Sequence, residues 1–457
     1  GFELCHMTYI HRTIMLASLP MGLDGGMLKL LTRFKVPSSK SYENTIALAP
    51  MIAEWAGTKT PTMIFGGRRG QLISLDFYDN TLGGYGASIV GSIGSGKSVW
   101  LQEISWSYLS AGAKVWHLDL GRSAERLVEK TGGQYLDIRD GSGISVNPFS
   151  HVVSITDDMD MLQAVVAKMA SPFADLEPFQ YQAIGTIIKR LWDQKGKETS
   201  VTDVRDWFSQ GRINDDDPPD SRLRDLATML SPYAKDGAYG TFFDGPSNID
   251  FEGKHLVIEL ESLKRSAALH RVVMMAMLFR ITSQMFFTRN RQKLFIIDEL
   301  KQQLGTEGDA TLTRIIEETA LRARKYGGAL ITATQMVEHY YASDALHAAF
   351  AQSDFIIVLG QRRESIEKLA QEGKLHLDEG RKRLLTSLRK EDGAFSEAYV
   401  YSPMGEGVVR LILDPHTLLT FSNRFEDNGP LDELKAQGHS MDEAIEILIQ
   451  RRGGRAA

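Results

Sequence analysis

The apolar positions change period along the chain, and the changes mark its elements. Ala87 to Val90 is a short apolar strand, and Leu101, Ile104, Tyr108 and Leu109 then fall on one face of a helix running from Ser98 to Leu109. Val115 to Leu120 predicts a second strand, Ser123 a cap for a helix reaching Lys130, and Gln134 to Ile138 a third strand. This alternation of strand and helix predicts a parallel, doubly wound sheet. Ahead of it, Met63-Ile64-Phe65, a Gly-Gly-Arg-Arg-Gly turn and Gln71 to Phe77 predict a hairpin leading into the core. From Val152 to about Phe251 the pattern turns helical and polar, punctuated by Pro172, Pro178, the Asp215 to Pro219 turn and Pro232. An inserted all-helical subdomain over 151–251 is expected.

Strand-like runs resume at Leu256 to Leu260, Leu294 to Asp298, Ala329 to Thr334 and Phe355 to Leu359. Helical stretches, Ala267 to Phe287 and Leu312 to Arg324, lie between them. The sheet domain is therefore expected over 61–150 and 252–425. Residues 426–457 form a C-terminal region with a helix at Met441 to Gln450 and a frayed basic tail, Arg451 to Arg455. Residues 1–60 open weakly periodic, broken by Pro20, Gly22, Gly25 and Gly26, and read as the tail of an upstream N-terminal domain or a linker.

Composition narrows this picture. With 43% apolar and 24% charged residues the chain is globular rather than fibrous or disordered. A net charge of −6 supplies no global field toward nucleic acid or acidic lipid. The single Cys5 excludes an internal disulfide framework and a multi-cysteine zinc site, which fits a reducing compartment, with cytosol as the default. The longest candidate for a membrane span, Val272 to Phe279, is far too short. The chain begins with neither Met nor a charged signal start, so it is expected to be a piece of a longer polypeptide.

The chemistry enters with Gly91-Ser92-Ile93-Gly94-Ser95-Gly96-Lys97-Ser98, which matches G-x-x-x-x-G-K-[ST] between a predicted strand and a predicted helix. Such a loop folds its amides around phosphate oxygens, and the helix start, through Val99, adds its positive end. Lys97 is expected to bridge the β- and γ-phosphates, and the Ser98 hydroxyl to bind Mg²⁺. Leu294 to Ile297 is a buried strand ending in Asp298-Glu299. Asp298 is read as holding the metal's water shell, and Glu299 as orienting or deprotonating the attacking water.

Gln335, closing Thr332-Ala333-Thr334-Gln335, suits a sensor of the γ-phosphate or its water. Arg322 and Arg324 crowd the end of a helix, where they either complement its dipole or reach a neighbouring subunit's γ-phosphate as an arginine finger. Gln361-Arg362-Arg363 reads as a solvated turn in preference to a second phosphate-facing arginine site, and Asp119 to Ser123 as a strand end where ligand contacts or a helix cap occur. The eleven histidines show no zinc-binding spacing, and no N-K-x-D guanine-reading element occurs, so ATP with Mg²⁺ is expected.

In this order the motifs resemble the TraC-type ATPases of conjugative type IV secretion systems, the class that includes TrbE and the fourth VirB component. The resemblance rests on Gly66-Gly-Arg-Arg-Gly70, the P-loop, Asp119-Leu-Gly-Arg-Ser123, Ser145-Val-Asn-Pro-Phe149 and Tyr239-Gly-Thr-Phe-Phe-Asp-Gly245. Asp298-Glu299, Arg324-Lys-Tyr-Gly327 and Thr334-Gln335 continue it. It departs after the acidic pair, where Leu300-Lys301 replaces the usual small residue and aromatic. The resemblance implies a RecA-like, HerA/FtsK-like motor with a helical insert, hexameric when active. It implies a place on the cytoplasmic face of the bacterial inner membrane, among inner-membrane secretion-system subunits and a coupling protein, powering pilus biogenesis and substrate transfer. Two other functions share such a core: a DNA-translocating pump, against which the acidic balance counts, and a nucleotide-binding assembly scaffold.

Overall fold

The computed structural model of the chain describes residues 11–19, 22–33, 54–139, 141–152, 154–304, 310–371 and 377–453. Pro20, Cys5 and the tail beyond Gly453 lie outside them. The chain divides into two units, Gly1–Ala53 and Glu54–Ala457. In the first, the described residues form two short helices, His11–Ser18 and Gly25–Arg33.

The second unit is built on a 12-stranded mixed sheet. Its strands are β1 (Met63–Gly66), β2 (Leu72–Leu75), β3 (Ala87–Val90), β4 (Lys114–Asp119), β5 (Gln134–Asp137) and β6 (His255–Glu259). They continue with β7 (Lys293–Ile297), β8 (Gly328–Thr334), β9 (Phe355–Leu359), β10 (Lys390–Glu391), β11 (Phe395–Ser402) and β12 (Gly405–Leu411). The order is β2-β1-β12-β11-β9-β3-β8-β7-β4-β6-β5, with β10 paired to β11. From β9 to β5 every pairing is parallel, and from β11 outward every pairing is antiparallel.

The central strands are apolar throughout because both faces are covered, the usual condition of a parallel sheet. Alternate residues divide between the faces. Leu294 and Ile296 of β7 pack on the side of the Lys97–Ser110 helix, with Trp100, Leu101 and Ile104. Phe295 and Ile297 pack on the other side with the Ala267–Phe287 helix. That 21-residue helix begins where Ser266 Oγ accepts the Leu269 amide at 3.3 Å, and its Met-rich run is buried on nearly every side. Its apolarity thus reflects a core position; among the described residues no helix is long and apolar enough to cross a membrane.

Between β5 and β6 the described elements are all helical, chiefly Ile155–Ala170, Pro178–Lys195, Val201–Ser209 and Ser221–Leu230. Their apolar faces belong to the same continuous core as the sheet and the Ala267–Phe287 helix. Two of the sequence motifs meet here. The Val146 amide donates to the Phe242 carbonyl at 2.6 Å and Asn147 Nδ2 to the Gly245 carbonyl at 2.8 Å, so Ser145–Phe149 and Tyr239–Gly245 brace one another.

Two sequence readings need correction. Ser123 does not cap the helix after β4: the helix is Glu125–Thr131, and Ser123 Oγ instead donates to Asp119 at 2.7 Å. Asp119 also accepts the Ala124 amide at 3.0 Å, so the strand-end carboxylate organises the turn itself. The antiparallel extension β10 to β12 went unread. Its strands carry Ser396, Glu397, Gly405 and Gly407, which break the apolar run, and Gly405 and Gly407 leave room for the Trp55 ring that lies against them.

Within this extension the carboxylate of Glu397 has no exposed surface and is clamped by Arg68 from the β1–β2 turn, at 2.6 and 2.9 Å, and by Arg410 at 3.0 Å. Burial alone pushes the Glu397 carboxyl up, but the two guanidinium groups pull it further down, leaving it below the usual carboxylate range. The stabilisation is therefore complete above the unfolded carboxylate pKa of about 4.3 and is lost as pH falls through the lower folded value. Glu397→Ala should cost about 3 kcal/mol in urea denaturation at neutral pH, because it leaves two guanidinium groups facing a buried void. The gap from wild type should narrow below pH of about 4; a gap independent of pH would contradict the assignment.

Candidate functional site

The loop Gly91 to Gly96 joins β3 to the Lys97–Ser110 helix. Gly94 and Gly96 take φ of +82° and +100°, conformations that side chains disfavour, and these turn the chain tightly into the helix. The loop is fixed from both sides. The Gly91 amide donates to the Thr334 carbonyl at 3.1 Å, and Ser92 Oγ to the Gly360 carbonyl at 2.6 Å. From β10 and β11, Lys390 Nζ donates to the Gly94 carbonyl at 3.0 Å and Ser396 Oγ to the Ser95 carbonyl at 3.0 Å.

The amides of Lys97, Ser98 and Val99 open the helix and have no carbonyl one turn back to meet. Ser95 Oγ is buried without a partner among the described residues. Orphaned donors on a positive helix end fit a phosphate chain.

Lys97 reaches from this loop to the end of β7, where Nζ donates to Asp298 Oδ1 at 2.5 Å and to Glu299 Oε1. Burial lowers the Lys97 pKa, the two carboxylates raise it more, and the ammonium is held charged. Glu299 is one of only two non-glycine residues at positive φ among those described, at +50°. This unfavourable turn, costing about 1–3 kcal/mol, folds its side chain back to Lys97. Leu300, at the departure from the family pattern, is fully buried and starts the short Leu300–Leu304 helix. Gln335, one residue beyond β8, donates from Nε2 to Glu299 Oε1 at 3.1 Å.

Lys97, Ser98, Asp298, Glu299 and Gln335 thus belong to one end of the sheet. Arg322 and Arg324 do not. They precede Gly328, the first residue of β8, while Gln335 follows its last, so about 23 Å of strand separates them from the site. Arg322 pairs with Glu318 and lies over the Phe286 ring, 4.6 Å from its centroid. Arg324 is exposed and covers Gly83, where a methyl group would strike its guanidinium. Arg363 pairs with Glu367 on the surface, in keeping with a solvated turn.

Sequence reasoning missed Lys390 and Ser396, which arrive from elements it did not read. It also missed Glu338 and His339, whose Oε2 and Nδ1 are buried without hydrogen-bond partners among the described residues. Burial keeps the His339 imidazole below its ordinary pKa, hence neutral, within the field of Lys301, Glu299 and Lys97. Among the described residues no cluster of three metal-ligating side chains occurs, so a divalent ion here would need phosphate oxygens beside Ser98 and Asp298.

A phosphate loop and an acidic pair two strands apart, with a polar strand end between them, define a RecA-like P-loop nucleotide-binding protein. A family model described as the TraG P-loop domain matches residues 70–452, and the chain belongs to that family. It is 27% identical to the protein TraC of Escherichia coli strain K12 over 99% of this chain and 53% of that protein. The chain therefore spans about half the length of that relative. Its fold is similar to the structure of VirB4 of Thermoanaerobacter pseudethanolicus, with a TM-score of 0.66 at 17% identity, covering 79% of this chain and all of that one. It is also similar to the plasmid coupling protein TrwB in complex with the ATP analogue ADPNP, with a TM-score of 0.50 at 17% identity, over 72% and 85% of the two chains. The TraC-type likeness read from the motifs is borne out.

The acidic pair has a consequence for stability. Lys97→Met should lower the unfolding free energy by about 3 kcal/mol, since Asp298 and Glu299 are left as adjacent buried carboxylates without a cation. Adding Glu299→Gln should restore part of the loss. An unchanged urea midpoint in the single variant would contradict this electrostatic role.

Proposed function

We propose that the chain is the Mg-dependent ATP-hydrolysing motor of a conjugative type IV secretion system, powering pilus biogenesis and substrate transfer. The observation that carries this reading is the meeting of Lys97 from the phosphate loop with Asp298 and Glu299 from β7, with Gln335 on Glu299. The division of the chain is proposed with it. Residues 1–60 form the tail of an upstream domain, 61–150 and 252–425 the motor, 151–251 a helical insert, and 426–457 a C-terminal appendage.

A triphosphate laid on the loop would compete with the two carboxylates for Lys97. The exchange frees Glu299 to accept a proton from a water that Gln335 helps to hold. Ser98 and Asp298 would hold Mg²⁺ brought in with the nucleotide, which would supply charge neutralisation at the phosphates. Arg324 or Arg322, remote from the site of its own chain, acts on a neighbour's γ-phosphate, so activity requires an oligomer, a hexamer by family likeness. The assembly works at the cytoplasmic face of the bacterial inner membrane with inner-membrane subunits and a coupling protein.

The likeness to TrwB favours one competitor, a DNA-translocating coupling protein. Turnover stimulated severalfold by duplex DNA, with steeply salt-dependent binding, would establish that competitor instead.

Glu299→Gln should retain ATP and slow turnover by roughly 10²–10⁴-fold, the range of general-base catalysis, while Lys97→Ala loses nucleotide binding or turnover. Arg324→Ala should bind ATP and lose about 10³-fold or more in turnover if it is the finger. Turnover per chain should rise with protein concentration. Normal single-turnover hydrolysis in Glu299→Gln would sink the motor reading in favour of a scaffold that merely holds nucleotide.

A further inference from the structure

Sheet order fixes the direction in which a nucleotide lies on the loop. The lysine, the two carboxylates and Gln335 all sit toward β8 and β7, so the terminal phosphate belongs on that side of β3. The sugar and base must leave on the other side, over β9 and β11. There the β10–β11 hairpin meets the loop. Ser396 Oγ donates to the Ser95 carbonyl and accepts the Trp100 indole N–H at 3.3 Å, which sets the hairpin's position. A methyl group on Gly96 would stand 3.0 Å from Ser396 Oγ, so nothing separates hairpin and loop.

Lys390 is the cation that this contact delivers. Its Nζ donates to the neutral Gly94 carbonyl at 3.0 Å, and its pairing with Asp392 is a loose 3.6 Å. Asp392 is already engaged by Arg424, so the Lys390 charge is little compensated. Its side chain is 28% exposed, accessible to a ligand entering from solvent yet held in place by the loop. A partly desolvated cation facing the sugar end of a polyanion gains Coulomb energy and can donate to a sugar oxygen.

We infer that Lys390 is a nucleotide-binding residue on the nucleoside side of the site, donating to a sugar oxygen of the bound nucleotide. The inference rests on the proposal that a nucleoside triphosphate occupies the loop. It makes β10 and β11 part of the site.

The test is a binding titration of the full chain, with Mg²⁺, using ATP and inorganic tripolyphosphate as separate probes. Lys390→Ala should weaken ATP binding and raise KM by about tenfold, the loss expected for one charge-assisted hydrogen bond. Tripolyphosphate, which has no nucleoside, should change by about twofold or less, and its retained binding together with an unshifted melting curve shows that the variant is folded. Lys390→Arg should recover most of the ATP affinity. Unchanged ATP affinity in a folded Lys390→Ala overturns the assignment. Equal weakening of both probes overturns it too, since the cation would then serve the loop or the phosphates. If wild type and Lys97→Ala bind ATP equally poorly, the nucleotide reading itself fails; loss in Lys97→Ala alone, with Lys390→Ala unchanged, defeats only the role of Lys390.

Discussion

The ammonium of Lys97, caught between Asp298 and Glu299, is the interaction around which this molecule is arranged. Two buried carboxylates on successive residues repel, and a cation between them turns that repulsion into cohesion. The cation comes from another strand's loop, so the pairing also fixes the distance between the end of β7 and the loop after β3. Glu299 adopts positive φ to take part, and the neighbouring contacts hold it there. Its amide donates to Asp298 Oδ1 at 2.8 Å, and Leu300 is anchored in the core immediately afterwards. The backbone strain is local, and the fixed strand beneath it is what makes it tolerable.

That geometry follows from register. Val90 lies opposite Thr334, and Thr332 opposite Ile297, so β3, β8 and β7 end in a staggered line. The next residues are Gly91, Gln335 and Asp298. Three sequence segments, the first 201 positions before the second and the third only 36 beyond it, present their chemistry at one edge because parallel strands place all their C-terminal ends together. The same logic puts Arg322 and Arg324 at the far edge. Any catalytic part they play must be on another copy of the chain.

Legibility from sequence followed burial. β3, β4, β7 and β8 are covered on both faces, so they appear as apolar runs ending in turns or acids, and the P-loop and Asp298-Glu299 could be placed on them. The antiparallel strands are covered unevenly and carry Glu397 at an internal position, where its charge is matched by Arg68, 329 residues away. Nothing in local periodicity signals such a pair. Lys390 was hidden for the same reason, since its partner Gly94 is 296 positions distant. Ser123 misled because a serine before a helix satisfies the usual cap pattern, while the carboxylate of Asp119, earlier in the chain, won the competition for the turn amides.

A chain with net charge −6 that holds a polyanion must rely on local fields. At physiological ionic strength charges beyond about 8 Å are largely screened, so the many surface carboxylates weigh little at the phosphate loop. What counts there is the helix start, the orphaned amides, Lys97 and, on the opposite flank, Lys390. Lys97 is neutralised by two carboxylates and Lys390 by little more than a carbonyl, so the two flanks differ in character. One end of the loop is a buffered, strained site suited to chemistry on a terminal phosphate. The other is an open, under-neutralised one suited to holding what is attached to it. The division is a consequence of sheet order: the chemistry lies toward the parallel strands, and the grip toward the antiparallel extension.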